Sequence, residues 1–401
     1  MILNFETSSL FQRLPRQFFA SLQKQVGNYR SQGVNIIDLS IGNPDLPTPP
    51  HIVQRLKEAV DDPQNHRYQS FDGKPSTLEA IAAFYQKEYG VSLDPHTEIS
   101  IFHGSGIGIL AIPQVLLNPG DVLLTTDPCY PPYHTAAVMA GASIYTIPLR
   151  EEDGYLPNYD TVPQEILSRV KLLVLNYPNN PTGAVATSQF FEQSLRFAET
   201  NHFPVVNDFA YAAFGFDGHK PVSLLQTPGS KEFGVEVYTA SKTWNMAGWR
   251  FGFAVGNASV IEALKYYHNH AYSSVFGAVQ DAAAAALLGS QDSVRELAKR
   301  YEVRRNLLIS ELRKIGWEGS APSGTFYIWL KVPCGYDSVQ FAQFLLDQAH
   351  VAVAPGEGFG SQGREFVRIS LTNSEEQLTE AVERIAETEL FHTAVESGGG
   401  K

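Results

Sequence analysis

The chain has 401 residues, too long for one small hydrophobic core and long enough for two packed domains. Hydrophobic residues make up 43% and charged residues 18%, which argues against long disorder; a net charge of −12 disfavours a general nucleic-acid surface but allows one local basic pocket. Cys129 and Cys334 are too few for a disulfide framework or a cysteine metal site, and no metal is expected.

In chain order, MILNFETSSLFQRLPRQFF lacks a basic start followed by an apolar core, so the expectation is a cytoplasmic protein. The longest apolar run, the alanines after Asp281, is far short of a membrane span. Thr48-Pro49-Pro50 reads as a helix start, with Thr48 as cap and proline tolerated in the first turn.

HGSGIGIL (103–110) follows the β-like EISIF and opens a helix. Its glycines free the backbone, so the amides of Ser105, Gly106 and Ile107 can face a phosphate over the helix N-terminus; a tight strand-to-helix turn would read the same way. DVLLTT (121–126) runs into DPCYPPY (127–133), whose prolines stiffen the loop around Tyr130. That residue is either a stacking platform for a flat heteroaromatic ring or an ordinary packed tyrosine. VKLLVLNY (170–177) leads into LNYPNNPTG (175–183), where Asn180 serves either a ligand oxygen or plain turn chemistry.

SQFFEQSLRFAET (188–200) is a helical pattern, and FPVVND (203–208) a further buried run ending on Asp208. An acid there needs a partner, such as a protonated ring nitrogen or a cap site, and Tyr211 can offer its hydroxyl to the same ligand. VEVYTA (235–240) then enters TASKTWNMAGWRFGF (239–253), which holds Lys242 beside Ser241, with Arg250 beyond and no acid between. A lysine free in water is a poor nucleophile at neutral pH. Partial desolvation and a nearby cation lower its pKa and free the amine to form an imine with an aldehyde. Arg250 supplies a cation and a forked phosphate donor, and Thr239 and Ser241 add hydroxyls.

Short uninterrupted apolar runs alternating with helices are how strands buried on both faces of a parallel sheet read, and ligands on such sheets sit past the carboxyl ends of the strands. Beyond about residue 290 the texture changes to a long charged helix, RELAKRYEVRRNLLISELRKIG, then the strand-like pieces TFYIWLKV, VAVAP and FVRISL joined by loops and one helix, ending in a flexible tail ESGGGK. The expected organisation is a large α/β domain, 48–287, and a smaller α+β domain built from 1–47 and 288–401. The features at the strand ends converge on one ligand with an aldehyde, a flat ring with a basic nitrogen, a ring hydroxyl and a phosphate. Pyridoxal phosphate has all four.

GSGIG, DPCYPPY, NYPNNPTG, NDFAY, SKTWNMAGWR and FVRIS, in this order, resemble the class I and II aminotransferases of the aspartate-aminotransferase fold, from roughly 35 to 385. The resemblance implies PLP-dependent transferase fold type I, with a mostly parallel seven-stranded sheet in the large domain. It further implies that Lys242 is the Schiff-base lysine and proton shuttle, and that Asp208 pairs with the pyridine nitrogen. Asn180 and Tyr211 match the pair on the ring hydroxyl, and Tyr130 matches the stacking aromatic. Ser105, Gly106, Ser241 and Arg250 resemble the phosphate cup, with Thr239 where many relatives have serine and Ile107 where some have a hydroxyl residue. Tyr68 matches a tyrosine that reaches a phosphate across a homodimer interface, Arg368 the arginine for the substrate α-carboxylate, and Gly42 a backbone contact.

Within the family, LPRQFFASL, SIGNPDLPTP, DFAYAAFGFDG and VAVAPGEGFG resemble bacterial methionine-salvage aminotransferases, which act on 4-methylthio-2-oxobutanoate; diaminopimelate-forming and aspartate-type enzymes are the alternatives. Aspartate-specific relatives use a second arginine, and HNHAYSSVFGAVQ (268–280) has none. Phe18, Phe19, Tyr272 and Tyr327 are candidates to line an apolar side-chain pocket, or simply to pack in the core. A carbon–sulfur β-lyase on the same cofactor would release pyruvate from cystathionine. A transcription regulator would need a DNA-binding module, for which the residues before the cofactor domain are too few and not basic.

Overall fold

The computed structural model describes residues 5–15, 18–388, 390 and 391, so the ESGGGK tail lies outside it. Twelve strands are present among the described residues. They are β1 (Ile37–Asp38), β2 (Ile99–Phe102), β3 (Val122–Asp127), β4 (Ser143–Pro148), β5 (Val170–Leu175), β6 (Val205–Asp208), β7 (Gly234–Thr239), β8 (Gly252–Gly256), β9 (Tyr327–Lys331), β10 (Val351–Ala352), β11 (Ala354–Pro355) and β12 (Phe366–Ser370).

β2 to β8 form one seven-stranded sheet in the order β2-β8-β7-β6-β5-β3-β4. Apart from β8, which runs antiparallel to both its neighbours, adjacent strands are parallel. The exception follows from the connection before it: between β7 and β8 the chain forms only the helix Ala240–Thr243 and a 3-10 turn, Ala247–Trp249, with no crossover helix to carry it back across the sheet. β2, β3, β6 and β7 are buried along their whole length, so apolar residues occur on both faces and the polar ones, such as Asn207, Asp208 and Glu236, are buried too.

Between the strands, Ser188–Asn201 forms the expected helix, and the Thr187 hydroxyl caps it by accepting from the Phe190 N–H at 3.1 Å. The helix Pro50–Val60 also forms, but Thr48 is not its cap. Pro49 takes that position without a side-chain bond, and the Thr48 hydroxyl donates to the Asn245 carbonyl at 2.7 Å. A tertiary acceptor has won over the local helix end.

A second core gathers Ile37, Leu39, Phe326, Ile328, Val351, Val367 and Ile369 with Tyr301, Leu308 and Leu312 of the helix Asp292–Lys314. Its sheet, β11-β12-β9, is antiparallel, and β1 pairs with β10 in parallel. VAVAP is therefore not one strand: Val351–Ala352 joins β1 and Ala354–Pro355 joins β12. The two cores are tied together by polar contacts. The Asp127 carboxylate, at the end of β3, accepts from the N–H and hydroxyl of Ser361 at 3.0 and 2.7 Å and from the Gln362 N–H at 3.1 Å. Arg305 also forks onto Asp217 at 2.7 and 2.8 Å.

Candidate active site

β3, β5, β6 and β7 run parallel, so their carboxyl ends share one edge of the sheet. The loops leaving that edge deliver Tyr130, Asn180, Asp208 and Lys242 into a cleft of about 320 Å³, whose other walls include Gly42, Tyr327 and Arg368.

The Lys242 ammonium donates to the Gly42 carbonyl at 2.8 Å. Its pKa falls from an ordinary 10.5 to about 8, first because burial penalises the charge, then because of Arg368, then Arg250. This corrects the expectation that Arg250 is the main neighbouring cation. Arg250 is exposed and bonds to the Ala247 carbonyl at 2.9 Å, so solvent screens it, whereas Arg368 is 2% exposed.

Asp208 is buried at the end of β6. Its Oδ2 accepts from the Tyr133 hydroxyl at 2.9 Å, while Oδ1 has no hydrogen-bond partner among the described residues. Burial pushes the carboxyl up to about 6, against the downward pull of the Tyr133 hydroxyl and the Ala210 N–H. Asn176 holds the backbone of the same residue, donating to the Asp208 carbonyl at 2.6 Å.

Arg368, on β12, donates to the Asn180 side-chain oxygen at 2.9 Å and to the Ser40 carbonyl at 2.7 Å. Its Nε has no partner among the described residues. The guanidinium lies 3.9 Å from the centre of the Tyr327 ring, 4.7 Å from Phe359 and 5.2 Å from Phe19. A desolvated cation with donors to spare, walled by aromatic rings, suits a carboxylate whose attached chain is apolar. Tyr211 donates to the Tyr327 hydroxyl at 3.4 Å, and burial holds its phenol protonated well past the usual range. Tyr130 packs edge-on to Tyr133, with ring centres 5.8 Å apart.

Ser105, Gly106, Thr239, Ser241 and Arg250 line the same cleft. Gly104 precedes the helix Ser105–Leu116 with φ of +88°, and a Cβ there would sit 2.4 Å from an Arg250 terminal nitrogen. Glycine is thus required both by the backbone conformation and by the close approach of the guanidinium. A Cβ on Gly252, which pairs with Thr239, would meet the Ser105 amide nitrogen at 2.4 Å. A helix N-terminus, an arginine and the β7 hydroxyls therefore crowd together, a geometry made for a phosphate.

Some expected residues are placed elsewhere. Ile107 does not line the cleft, and its N–H donates to the Gly104 carbonyl at 3.1 Å, closing the first helical turn. Tyr68 is 91% exposed and outside the cleft of its own chain. Phe19 and Tyr327 line it, but Phe18 packs against Gly358 and Tyr272 against His268. Sequence reasoning missed Tyr133, Asn176 and Ser40. The first two lie inside motifs already singled out, DPCYPPY and LNYPNNPTG; Ser40 acts through its carbonyl, which no side-chain pattern reveals.

A family model described as aminotransferase class I and II matches residues 34–385. The chain belongs to this family. It is 53% identical over 389 residues to the L-glutamine–4-(methylsulfanyl)-2-oxobutanoate aminotransferase of Bacillus subtilis (strain 168), covering 97% of this chain and 98% of that one. It is 43% identical to an LL-diaminopimelate aminotransferase of Dehalococcoides mccartyi, covering 94% and 98% of the two chains. Among solved structures, substrate-bound BacF from Bacillus subtilis superposes with a TM-score of 0.93 at 45% identity, covering 96% and 98%.

The protein is thus a transaminase of the pyridoxal-phosphate fold type I, acting on amino and oxo acids. Its cleft fits the cofactor. The orphaned Asp208 Oδ1 is an acceptor suited to a protonated ring nitrogen, Lys242 is an amine with a depressed pKa, and the Gly104–Arg250 approach forms a phosphate cradle. No helix among the described residues is long and apolar enough to cross a membrane, and no metal-ligand cluster occurs among them.

Proposed function

We propose that this aminotransferase forms methionine from 4-methylthio-2-oxobutanoate, using a broad range of aromatic and apolar amino donors in a ping-pong cycle. The observation that carries this reading is the make-up of the wall around Arg368. Phe19, Tyr327 and Phe359 surround the carboxylate-binding cation, and among the described residues the other cations lining the cleft are Lys242 and Arg250. A substrate side chain entering there meets rings rather than a second arginine, which favours a thioether over a distal carboxylate. The similarity to the Bacillus subtilis enzyme supports the same substrate.

Bound pyridoxal phosphate supplies an aldehyde and a ring that takes up the electron pair released at the substrate Cα. In this reading Arg368 clamps the α-carboxylate and so aims the Cα–H at the Lys242 amine. Lys242, whose pKa the cleft sets near 8, would be the base that takes up that proton and carries it within the cleft. Asp208 would hold the ring-nitrogen proton through Oδ1, while Tyr133 fixes Oδ2. Asn180 and Tyr211 would serve the ring hydroxyl, Tyr130 would stack on the ring, and Ser105, Gly106, Thr239, Ser241 and Arg250 would hold the phosphate. Gly42 receives the resting Lys242 amine on its carbonyl. The enzyme works as a homodimer in which Tyr68 completes the partner's phosphate site, with domains divided at 47/48 and 287/288, in the cytoplasm.

The test is a panel of amino and oxo acids assayed with purified protein. The expected result is preferred use of 4-methylthio-2-oxobutanoate. Preference for diaminopimelate precursors would overturn the reading in favour of the second relative, and pyruvate release from cystathionine would point to a lyase.

A further inference from the structure

Two carbonyls on one loop hold the two groups assigned to substrate chemistry. Ser40 O accepts from Arg368, and Gly42 O accepts from Lys242. That loop is laced to the end of β12: the Ser370 N–H donates to the Leu39 carbonyl at 2.8 Å, and the Thr372 hydroxyl to the Ile41 carbonyl at 3.1 Å. A single buried side chain bonds to both strands of this lacing. Arg304, 2% exposed on the helix Asp292–Lys314, forks onto Asp45 at 2.9 and 3.0 Å and also donates to the Leu371 carbonyl at 3.1 Å. Asp45 follows Gly42 by the same short interval as Leu371 follows Arg368. The Tyr301 hydroxyl, one helical turn before Arg304, adds a third bond to Asp45 at 3.2 Å.

We propose that Arg304 and Asp45 are positioning residues for transamination: their half-buried ion pair sets the loop carrying the Ser40 and Gly42 carbonyls against the strand carrying Arg368, and so fixes the carboxylate-binding guanidinium. A planar fork with a fixed spacing holds both oxygens of one carboxylate and a carbonyl in set directions, whereas a lysine offers a single point charge with no fixed bidentate geometry. The helix Asp292–Lys314 packs in the second core while Lys242 leaves β7 of the large sheet, so the pair transmits the placement of one core to the chemistry of the other. The proposal rests on Arg368 binding the carboxylate.

The carboxylate is common to every substrate, so the effect of weakening the pair is uniform across side chains. Asp45→Asn should raise KM about tenfold for apolar and polar amino donors alike, with kcat changed far less. It should also weaken holoenzyme binding of the unreactive 4-methylpentanoate by a similar factor in calorimetry. Asp45→Asn leaves Arg304 with only the partly exposed Glu375, 3.4 Å from its Nε, as counter-charge and is the variant most prone to misfold. Tyr301→Phe removes one hydroxyl only and should give the same pattern at about two- to threefold. If either folded variant lowers thermal stability while KM and the 4-methylpentanoate affinity stay at wild-type values, the pair is merely structural and the proposal fails. Arg368→Leu separates the underlying reading: unchanged 4-methylpentanoate binding in that variant would refute Arg368 as the carboxylate site, whatever Asp45→Asn does.

Discussion

An amine with a pKa near 8 is neutral in about a tenth of molecules at pH 7, against roughly one in three thousand at an ordinary lysine value. Burial does most of this, with Arg368 and Arg250 adding repulsion. The rate at which pyridoxal phosphate labels Lys242 in cofactor-free protein should therefore rise with pH and level off above about 8; a rise continuing past pH 10 would contradict the assigned environment. The sign for stability follows from the same shift. The folded pKa lies below the unfolded one, so the charged amine costs stability below about pH 8 and the cost is relieved toward 10.5. Lys242→Met should accordingly raise the Tm of cofactor-free protein at pH 7. Lys242 and Asp208 were legible in the sequence because each is a charge following a buried strand, whereas Arg368 was reached only through the resemblance of FVRIS to the family motif. Tyr133 was not, because nothing local separates a tyrosine that binds Asp208 from one that merely packs. The ranking of Arg368 over Arg250 was equally hidden, since it depends on contacts between segments far apart in the chain.

At the scale of elements, β7 carries a buried acid as well as leading to Lys242. Glu236 is 0% exposed and accepts from the Tyr85 hydroxyl at 3.1 Å, the Ser223 hydroxyl at 2.5 Å, the Leu224 N–H at 2.6 Å and the Asn207 amide at 3.2 Å. Burial raises its carboxyl to about 7, and these donors pull the other way. Glu236→Gln removes one acceptor oxygen and forces the Tyr85 and Ser223 hydroxyls, which now donate, to turn and accept, so it should cost about 1–3 kcal/mol in chemical denaturation. An unchanged midpoint would show that the network does not hold β7 to its neighbours. The parallel strands were readable from their unbroken apolar runs. β4 was harder, being an edge strand with several partly exposed positions, and β1 and β10 are two residues each, too short for any periodicity. The Thr48 cap failed for a different reason: its hydroxyl found an acceptor at Asn245, a contact that exists only in the folded chain.

Over the whole molecule, four exposed aromatic side chains lie on two neighbouring segments, the loop around residues 68–71 and the helix Ala258–Ala271 with the loop after it. Tyr68 and Phe71 are 91% and 52% exposed, and Tyr266 and Phe276 are 68% and 44% exposed. The loops are joined where the Gln69 N–H meets the Ser274 hydroxyl at 3.1 Å. A second copy seated there would cover these rings and bring Tyr68 to its neighbour's phosphate cup. Mixed dimers of Lys242→Ala and Tyr68→Ala chains should then regain wild-type cofactor affinity in about half of their sites, because one site draws both intact residues from different chains. Affinity no better than that of Tyr68→Ala alone would place Tyr68 outside any shared site. The family and its cofactor were legible from motif order, yet the way two cores cooperate was not, since the Asp127–Ser361 and Arg304–Asp45 ties join segments that no sequence pattern pairs. All of this depends on Lys242 being the point of covalent attachment. The most direct measurement is borohydride reduction of the protein incubated with pyridoxal phosphate, followed by peptide mass mapping. The account predicts one reduced adduct, on Lys242; no adduct, or one on another lysine with residue 242 unmodified, would contradict it.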